Sequence, residues 1–465
     1  MAIDTDVLFG TIEELGAGLR KGEYSSRELA EAYIDRLREV GPDLNAVVTI
    51  TEERALEAAD RADRELDDGE DRGPLHGIPY GAKDLLAAES YPTTWGAEPY
   101  RDQAFEEDAA VVDLLDDAGA VLIAKLAMVE LAGGLGYEQA DASFTGPTRN
   151  AWNTSAWTCG SSSGPGAAVP AGLVGFAIGS ETFGSILCPA SFSGISGLRP
   201  TYGRVSLDGA MALSWTMDKL GPMCRSATGC ELVLGEIASA TPAGIPPIEA
   251  EPDLDREDLH LAVIEGVGEE EQEGVQENYR ESLSVLDDVA SIETIALPDL
   301  PAGSVAGIVI DAEAAAAFDD LVDSGRTSEL TAPADRVGGY SQRVVLAKDY
   351  INAMRVRAKI QRAMDELLEP FDAVVTPTRN SVASPISGSF VEYFGRFGGP
   401  SIESFANVCG LPGVSVPNGF AERGLPTGLA FTARAGNDRE VLAVASEYQQ
   451  LAGRPDYTEL IDVSA

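Results

Sequence analysis

Apolar positions recur three or four residues apart through the first seventy residues. TIEELGAGLRKG (11–22), SSRELAEAYIDRLREV (25–40) and TEERALEAADRADREL (51–66) each present one apolar stripe between charged faces. That spacing predicts amphipathic helices, with Ser25 or Ser26 ahead of Glu28 as an N-terminal cap. Residues 1–70 therefore read as a helical layer with solvated acidic faces. GPLHGIPYGAKDLL (73–86) breaks the pattern with glycine and proline, and sets Lys83 in an otherwise apolar stretch. A helix over 108–120, a short strand over 121–128 and a loop through GPTRNAWN (146–153) follow. NTSAWTCG (153–160) reads as loop, and the apolar run 167–178 as a buried helix.

The strand LAVIEG (261–266), a helix over 275–289 and an alanine-rich segment come next, among the acidic runs EAEPDLDREDLH (249–260) and EGVGEEEQEG (265–274). The pattern then predicts a long helix over roughly 341–368, the strand FDAVVTPT (371–378), a Gly/Pro-rich return (405–420) and an amphipathic segment (438–453). Helices alternating with short apolar strands predict an α/β/α layered domain around a twisted mixed sheet. Within one domain, 71–235 reads as the catalytic core, 240–340 as a variable peripheral region and 341–465 as the C-terminal part of the core.

Composition narrows the setting. The 465 residues carry 76 acidic against 33 basic side chains, a formal charge of −43, and only six of the basic residues are lysine. Such self-repulsion is relieved when salt shortens the screening length, to about 3 Å at 1 M, so the chain reads as a protein with a strongly acidic, halophilic surface. No basic patch is available for nucleic acid, and no apolar run approaches the roughly 18 residues of a membrane span. With no secretory pattern at the N-terminus, the expected location is cytoplasmic. The five cysteines, 159, 188, 224, 230 and 409, show no metal-type spacing and are expected as reduced, buried thiols. Only His76 and His260 are present, which limits histidine-based chemistry.

The densest cluster of chemistry lies between Trp157 and Arg204, in two groups, Gly160-Ser161-Ser162-Ser163-Gly164 and Glu181-Thr182-Phe183-Gly184-Ser185. The apolar residues between them argue against a solvated Gly/Ser linker. One option is a Gly-x-Ser-x-Gly elbow with Ser162 as nucleophile and His260 as base, but an elbow follows a strand directly. The other is a serine served by a lysine. An unperturbed lysine is neutral only about once in 2,500 molecules at pH 7, so a lysine base requires burial. A charged Lys83 paired with a carboxylate such as Asp84 would be inert in that role.

GPLHGIPYGAKD, GPTRNAWN, CGSSSGPGAAVPAGL, GSETFGSILCPASFSGISGLRPTYGRVS, GPMCRSATG and GLPGVSVPNGF with GLPTGL, spread in this order over nearly the whole chain, resemble the amidase signature family, the Ser-cisSer-Lys amidohydrolases. The resemblance implies Lys83 as base, Ser185 as nucleophile, and Ser161 as the relay serine, preceded by a cis peptide bond. The 24-residue separation of Ser161 from Ser185 agrees with the family's usual spacing. It further implies an oxyanion hole from the backbone of Thr182, Phe183, Gly184 and Ser185, with Phe183 and Cys159 beside the substrate, and no metal or cofactor. The expected substrate is a small linear carboxamide, cleaved to a carboxylate and ammonia or an amine. The partner is either a second copy of the chain or, if this is the glutaminase component of a tRNA-dependent amidotransferase, a second and different subunit. The remaining reading is a catalytically decayed scaffold. Phe183 and Leu187 stand where the family usually has Gly and Arg. If position 183 required positive φ, Phe would cost on the order of 1–3 kcal/mol there.

Overall fold

A computed structural model describes residues 3–238 and 259–460. Its thirteen strands are β1 (Val47–Ile50), β2 (Pro79–Lys83), β3 (Val121–Leu126), β4 (Arg149–Asn150), β5 (Asn153–Trp157), β6 (Phe176–Glu181), β7 (Ser196–Arg199), β8 (Lys219–Cys224), β9 (Leu259–Ile264), β10 (Ala290–Ile295), β11 (Ala373–Pro377), β12 (Gly413–Phe420) and β13 (Pro426–Thr432). Eleven of them form one mixed sheet in the order β1-β3-β2-β6-β8-β7-β12-β13-β11-β9-β10. β2 runs parallel to β3 and β6, and β9 runs parallel to β10 and β11. The strands between these two parallel groups pair antiparallel.

Every residue of β2, β3, β6, β7 and β8 is buried. Strands covered on both faces read as continuous apolar runs rather than alternating ones. The N-terminal helices pack on one side, where capping boxes at Thr11/Glu14 and Ser25/Glu28 fix the starts of Ile12–Lys21 and Ser26–Glu39. The α/β layered architecture is as expected from the sequence pattern.

Several elements differ from their sequence pattern. The N-terminal layer is not all helix, since Val47–Ile50 joins the sheet as its edge strand β1. The apolar run 167–178 is not one helix. The helix Ser163–Ala168 stops ahead of Pro170 and Gly172, whose φ of 66° no helix accommodates, and Phe176 then opens β6. Asn153–Trp157 is strand, pairing with β4 outside the main sheet. The long helix starts later than expected, at Ala347, after a separate short helix Asp335–Gln342. Region 240–340 contributes β9 and β10 to the sheet, while the acidic stretch 249–258 lies outside the described residues.

Candidate active site

Lys83 ends β2 at the centre of the parallel group and is 0% exposed. Its Nζ lies 2.7 Å from Ser161 Oγ, 2.8 Å from Ser180 Oγ and 3.1 Å from Ser162 Oγ. It forms no ion pair among the described residues. The adjacent Asp84 faces the other way, bonding Lys125 at 3.0 Å and the Thr94 hydroxyl and N–H. Burial pushes the Lys83 pKa well below the usual lysine range, against weaker opposing fields from Asp218 and Glu181. Burial thereby favours the neutral amine beside these hydroxyl groups.

The three consecutive serines take different parts. The Gly160–Ser161 peptide is cis. The Ser161 hydroxyl meets Lys83, and its carbonyl accepts from the Val129 N–H at 3.1 Å. Ser162 is fully engaged: its Oγ donates to the Ser180 carbonyl and accepts from the Ser180 N–H and from Lys83. Ser163 begins the helix that carries Gly164, where a Cβ would come within 2.4 Å of the Ala127 backbone. Only glycine permits that approach.

Ser185 lies in the turn after β6. The residue with positive φ there is Gly184, at 80°, and not Phe183. Phe183 carries none of the strain considered for it, and packs half-buried against a cluster containing Met217, Phe405 and Ala406. Among the described residues the N–H groups of Phe183, Gly184 and Ser185 donate to no protein acceptor, whereas those of Ile186 and Leu187 are taken by Glu181 Oε2 at 2.9 and 3.1 Å. Three successive uncommitted donors in a buried turn fit an anionic oxygen. The Ser162 N–H reaches the Ser185 carbonyl at 3.3 Å, joining the two serine clusters.

Buried charges hold this turn at both ends. Burial pushes the Glu181 carboxyl up, but Arg199 at 2.9 Å and Lys219 outweigh that and hold its pKa at about 2. With Leu at 187, Arg199 supplies the balancing cation. The Thr182 hydroxyl donates to Asp218 at 2.6 Å, and Lys219 Nζ approaches the Thr182 carbonyl at 3.4 Å.

A family model for amidases matches residues 28–442. The chain belongs to the amidase family. Like other members of this family, it is an amidohydrolase acting on C–N bonds. It is 34% identical to the A-type subunit of the glutamyl-tRNA(Gln) amidotransferase of Chromohalobacter salexigens, over 95% of this chain and 96% of that protein. The peptide amidase of Stenotrophomonas maltophilia superposes with a TM-score of 0.82 at 29% identity, over 96% of this chain and 98% of that one. The corresponding A-type amidotransferase protein of Thermotoga maritima gives a TM-score of 0.78 at 26% identity over the full length of both.

One expectation is corrected within this amidase site, and one alternative falls away. Cys159 and Cys188 are not reduced thiols but form a disulfide, because the fold sets the residue two before Ser161 against the helix that starts after Ser185. Cys159 therefore packs among Trp157, Cys188 and Phe192. Cys224, Cys230 and Cys409 are free. The elbow pairing of Ser162 with His260 is also excluded. His260 is exposed on β9, six strand spacings from β6, or about 29 Å at ~4.8 Å per step.

Sequence reasoning missed a polar cavity of about 130 Å³ lined by Thr378, Arg379, Asn380, Ser381, Ser401, Glu403 and the rings of Phe394 and Phe397. Glu403 Oε1 lies so near Gly184 that a Cβ there would sit 2.4 Å from it. These residues follow β11 or open the helix Glu403–Cys409, roughly two hundred positions after Ser185, and no local pattern marks them. Larger recesses elsewhere, such as the 310 Å³ cleft over Leu8, Glu28 and Arg36, bring no nucleophile to a base.

Proposed function

We propose that this amidase cleaves a linear carboxamide through an acyl-enzyme on Ser185, with Lys83 as base and Ser161 as relay. The observation that carries the reading is the burial of Lys83 among three hydroxyl oxygens with no carboxylate in ion-pair range among the described residues. As Ser185 Oγ bonds to the amide carbon, its proton passes to Ser161 Oγ and the Ser161 proton passes to Lys83 Nζ. The negative charge that develops on the carbonyl oxygen meets the N–H groups of Phe183, Gly184 and Ser185, each donor of this kind being worth about 3–4 kcal/mol. Collapse breaks the C–N bond, and the proton held by Lys83 returns through Ser161 to the leaving nitrogen. Water then repeats the sequence on the ester, releasing a carboxylate and free Ser185.

The curated relatives favour a particular amide. The A-type subunits of glutamyl-tRNA(Gln) amidotransferases match at 32–34% identity along nearly the whole chain. That similarity supports glutamine as the amide and a partner protein as the place where the released ammonia is used, over a stand-alone carboxamide hydrolase in the same cytoplasmic setting. Copurification with such a partner, and glutamine hydrolysis stimulated by it, would bear this out. Full turnover of simple carboxamides by the isolated chain, without a partner, would return the reading to a free-standing amidase. For the mechanism, a fluorophosphonate should leave its adduct on Ser185 and none on Ser185→Ala protein. An adduct on Ser162 would refute the assignment, and no adduct on any serine would identify a decayed scaffold.

A further inference from the structure

Lys219 is buried beside the nucleophile turn, and the acyl-transfer steps leave it unused. It opens β8 opposite Glu181, the last residue of β6, and is 2% exposed. Its Nζ donates to the Thr182 carbonyl at 3.4 Å and to Asn407 Oδ1 at 3.1 Å. Asn407 is itself fixed, donating from Nδ2 to the Glu403 carbonyl at 3.0 Å. No ion pair claims the Lys219 amine among the described residues. Glu181 is taken by Arg199, and Asp218 by the Thr182 hydroxyl and the N–H groups of Leu213 and Ser214. Burial lowers the Lys219 pKa to about 7, with the fields of Glu181 and Asp218 opposing that and those of Arg199 and Arg357 adding to it. The ammonium and the free amine both carry N–H groups, so the donation to Thr182 holds on either side of that value.

The Thr182 carbonyl and the Phe183 N–H are the two ends of one peptide group, whose resonance draws electron density from nitrogen to oxygen. A donor at the oxygen draws that density further and strengthens the N–H as a donor in its turn, by about 10–30% per bond in a hydrogen-bonded chain. The Phe183 N–H is the first of the three uncommitted donors of the turn. We infer that Lys219 is a positioning residue for amide cleavage, which holds and polarises the Thr182–Phe183 peptide so that the Phe183 N–H binds the developing oxyanion more strongly. It acts through this peptide rather than on the substrate, and its role rests on the acyl-enzyme reading.

Thr182–Phe183 is the sole Thr-Phe pair in the sequence. Protein with isotope labels on the threonine carbonyl carbon and the phenylalanine nitrogen therefore gives a single carbonyl–amide correlation by NMR. In Lys219→Met protein this signal should move upfield in both dimensions, and in the wild type it should move the same way as pH rises through about 7 and the ammonium is lost. Labelling of Ser185 by a fluorophosphonate, whose phosphoryl oxygen takes the oxyanion position, should slow in Lys219→Met by about 10-fold, a fraction of the roughly 10²- to 10³-fold carried by a whole donor. An unmoved correlation in the variant, or an unchanged labelling rate, would overturn the inference. Should Lys219→Met not fold, the wild-type pH series decides: a correlation that moves across about pH 7 sustains it, and one that stays fixed overturns it. Wild-type protein in which the fluorophosphonate labels no serine loses the acyl-enzyme reading as well, whereas labelled wild type with an unchanged rate in the variant loses only the role of Lys219.

Discussion

Lys83→Met keeps the length and apolar stem of the side chain while removing the amine. In the folded protein that amine is the basic group touching Ser161, at 2.7 Å, and no histidine can replace it, since His76 is engaged by Glu65 and the Arg72 N–H and His260 lies across the sheet. General-base assistance contributes about 10²- to 10⁴-fold. Because the relay serine also loses its proton acceptor, the upper part applies, a fall of about 10³- to 10⁴-fold in kcat/KM, or about 4–5.5 kcal/mol. The assay is amide turnover across pH. Wild-type activity should rise as pH climbs through the depressed pKa of Lys83 and level off well below 10.5, because the working form is the neutral amine. The variant should show no such limb. Stability supplies a second readout. A lysine whose folded pKa lies below its unfolded value binds fewer protons folded than unfolded between those two values. Wild-type stability relative to Lys83→Met should therefore increase as pH rises through that window and stay level below it. A variant retaining more than a tenth of wild-type turnover, or an activity limb at the ordinary lysine pKa, would refute the neutral-base reading.

Other outcomes follow from the same contacts. Arg199→Met leaves the carboxylate of Glu181 buried without its partner and should destabilise the protein by about 3–5 kcal/mol in denaturant titrations. In the unsubstituted protein the depressed Glu181 pKa contributes stability that is complete above the unfolded value of 4.5 and is lost as pH falls toward about 2, roughly 3 kcal/mol in all. The denaturant midpoints of the two proteins should therefore draw together as pH falls through that window. Alkylation of denatured, unreduced protein should modify Cys224, Cys230 and Cys409 alone and reach all five cysteines only after reduction; five modifications without reductant would remove the Cys159–Cys188 pairing. With a formal charge of −43, the melting temperature should rise substantially between dilute buffer and about 2 M KCl, and an unchanged value would count against a halophilic surface.

The candidate constellation of Lys83, Ser161 and Ser185 was marked by the resemblance of its short motifs to the amidase signature, and those segments carry local constraints of their own. Gly184 must take a φ of 80°, Gly164 must let the Ala127 backbone approach, and Lys83 sits in a stretch too apolar to leave it solvated. Helical periodicity in the N-terminal layer was equally local, set by the 3.6-residue repeat and the Ser25/Glu28 capping box. By itself, then, the sequence determined the layered α/β class, the order of the motifs and which serines and lysine stand available. Only the tertiary structure decided the rest. A run such as 167–178 is apolar whether it is helix or strand, and its division depended on the sheet that Phe176–Glu181 enters. Phe183 could be cleared of strain only once the positive φ was located one residue later. Asp84 could be removed as a partner of Lys83 only when Lys125 was seen to hold it, and Cys159 met Cys188 only through the packing of a loop on a helix across a sequence separation of 29. Arg379 and Glu403 came beside Gly184 in the same way, since long-range proximity arises from chain topology and leaves no periodic trace in the residues it joins.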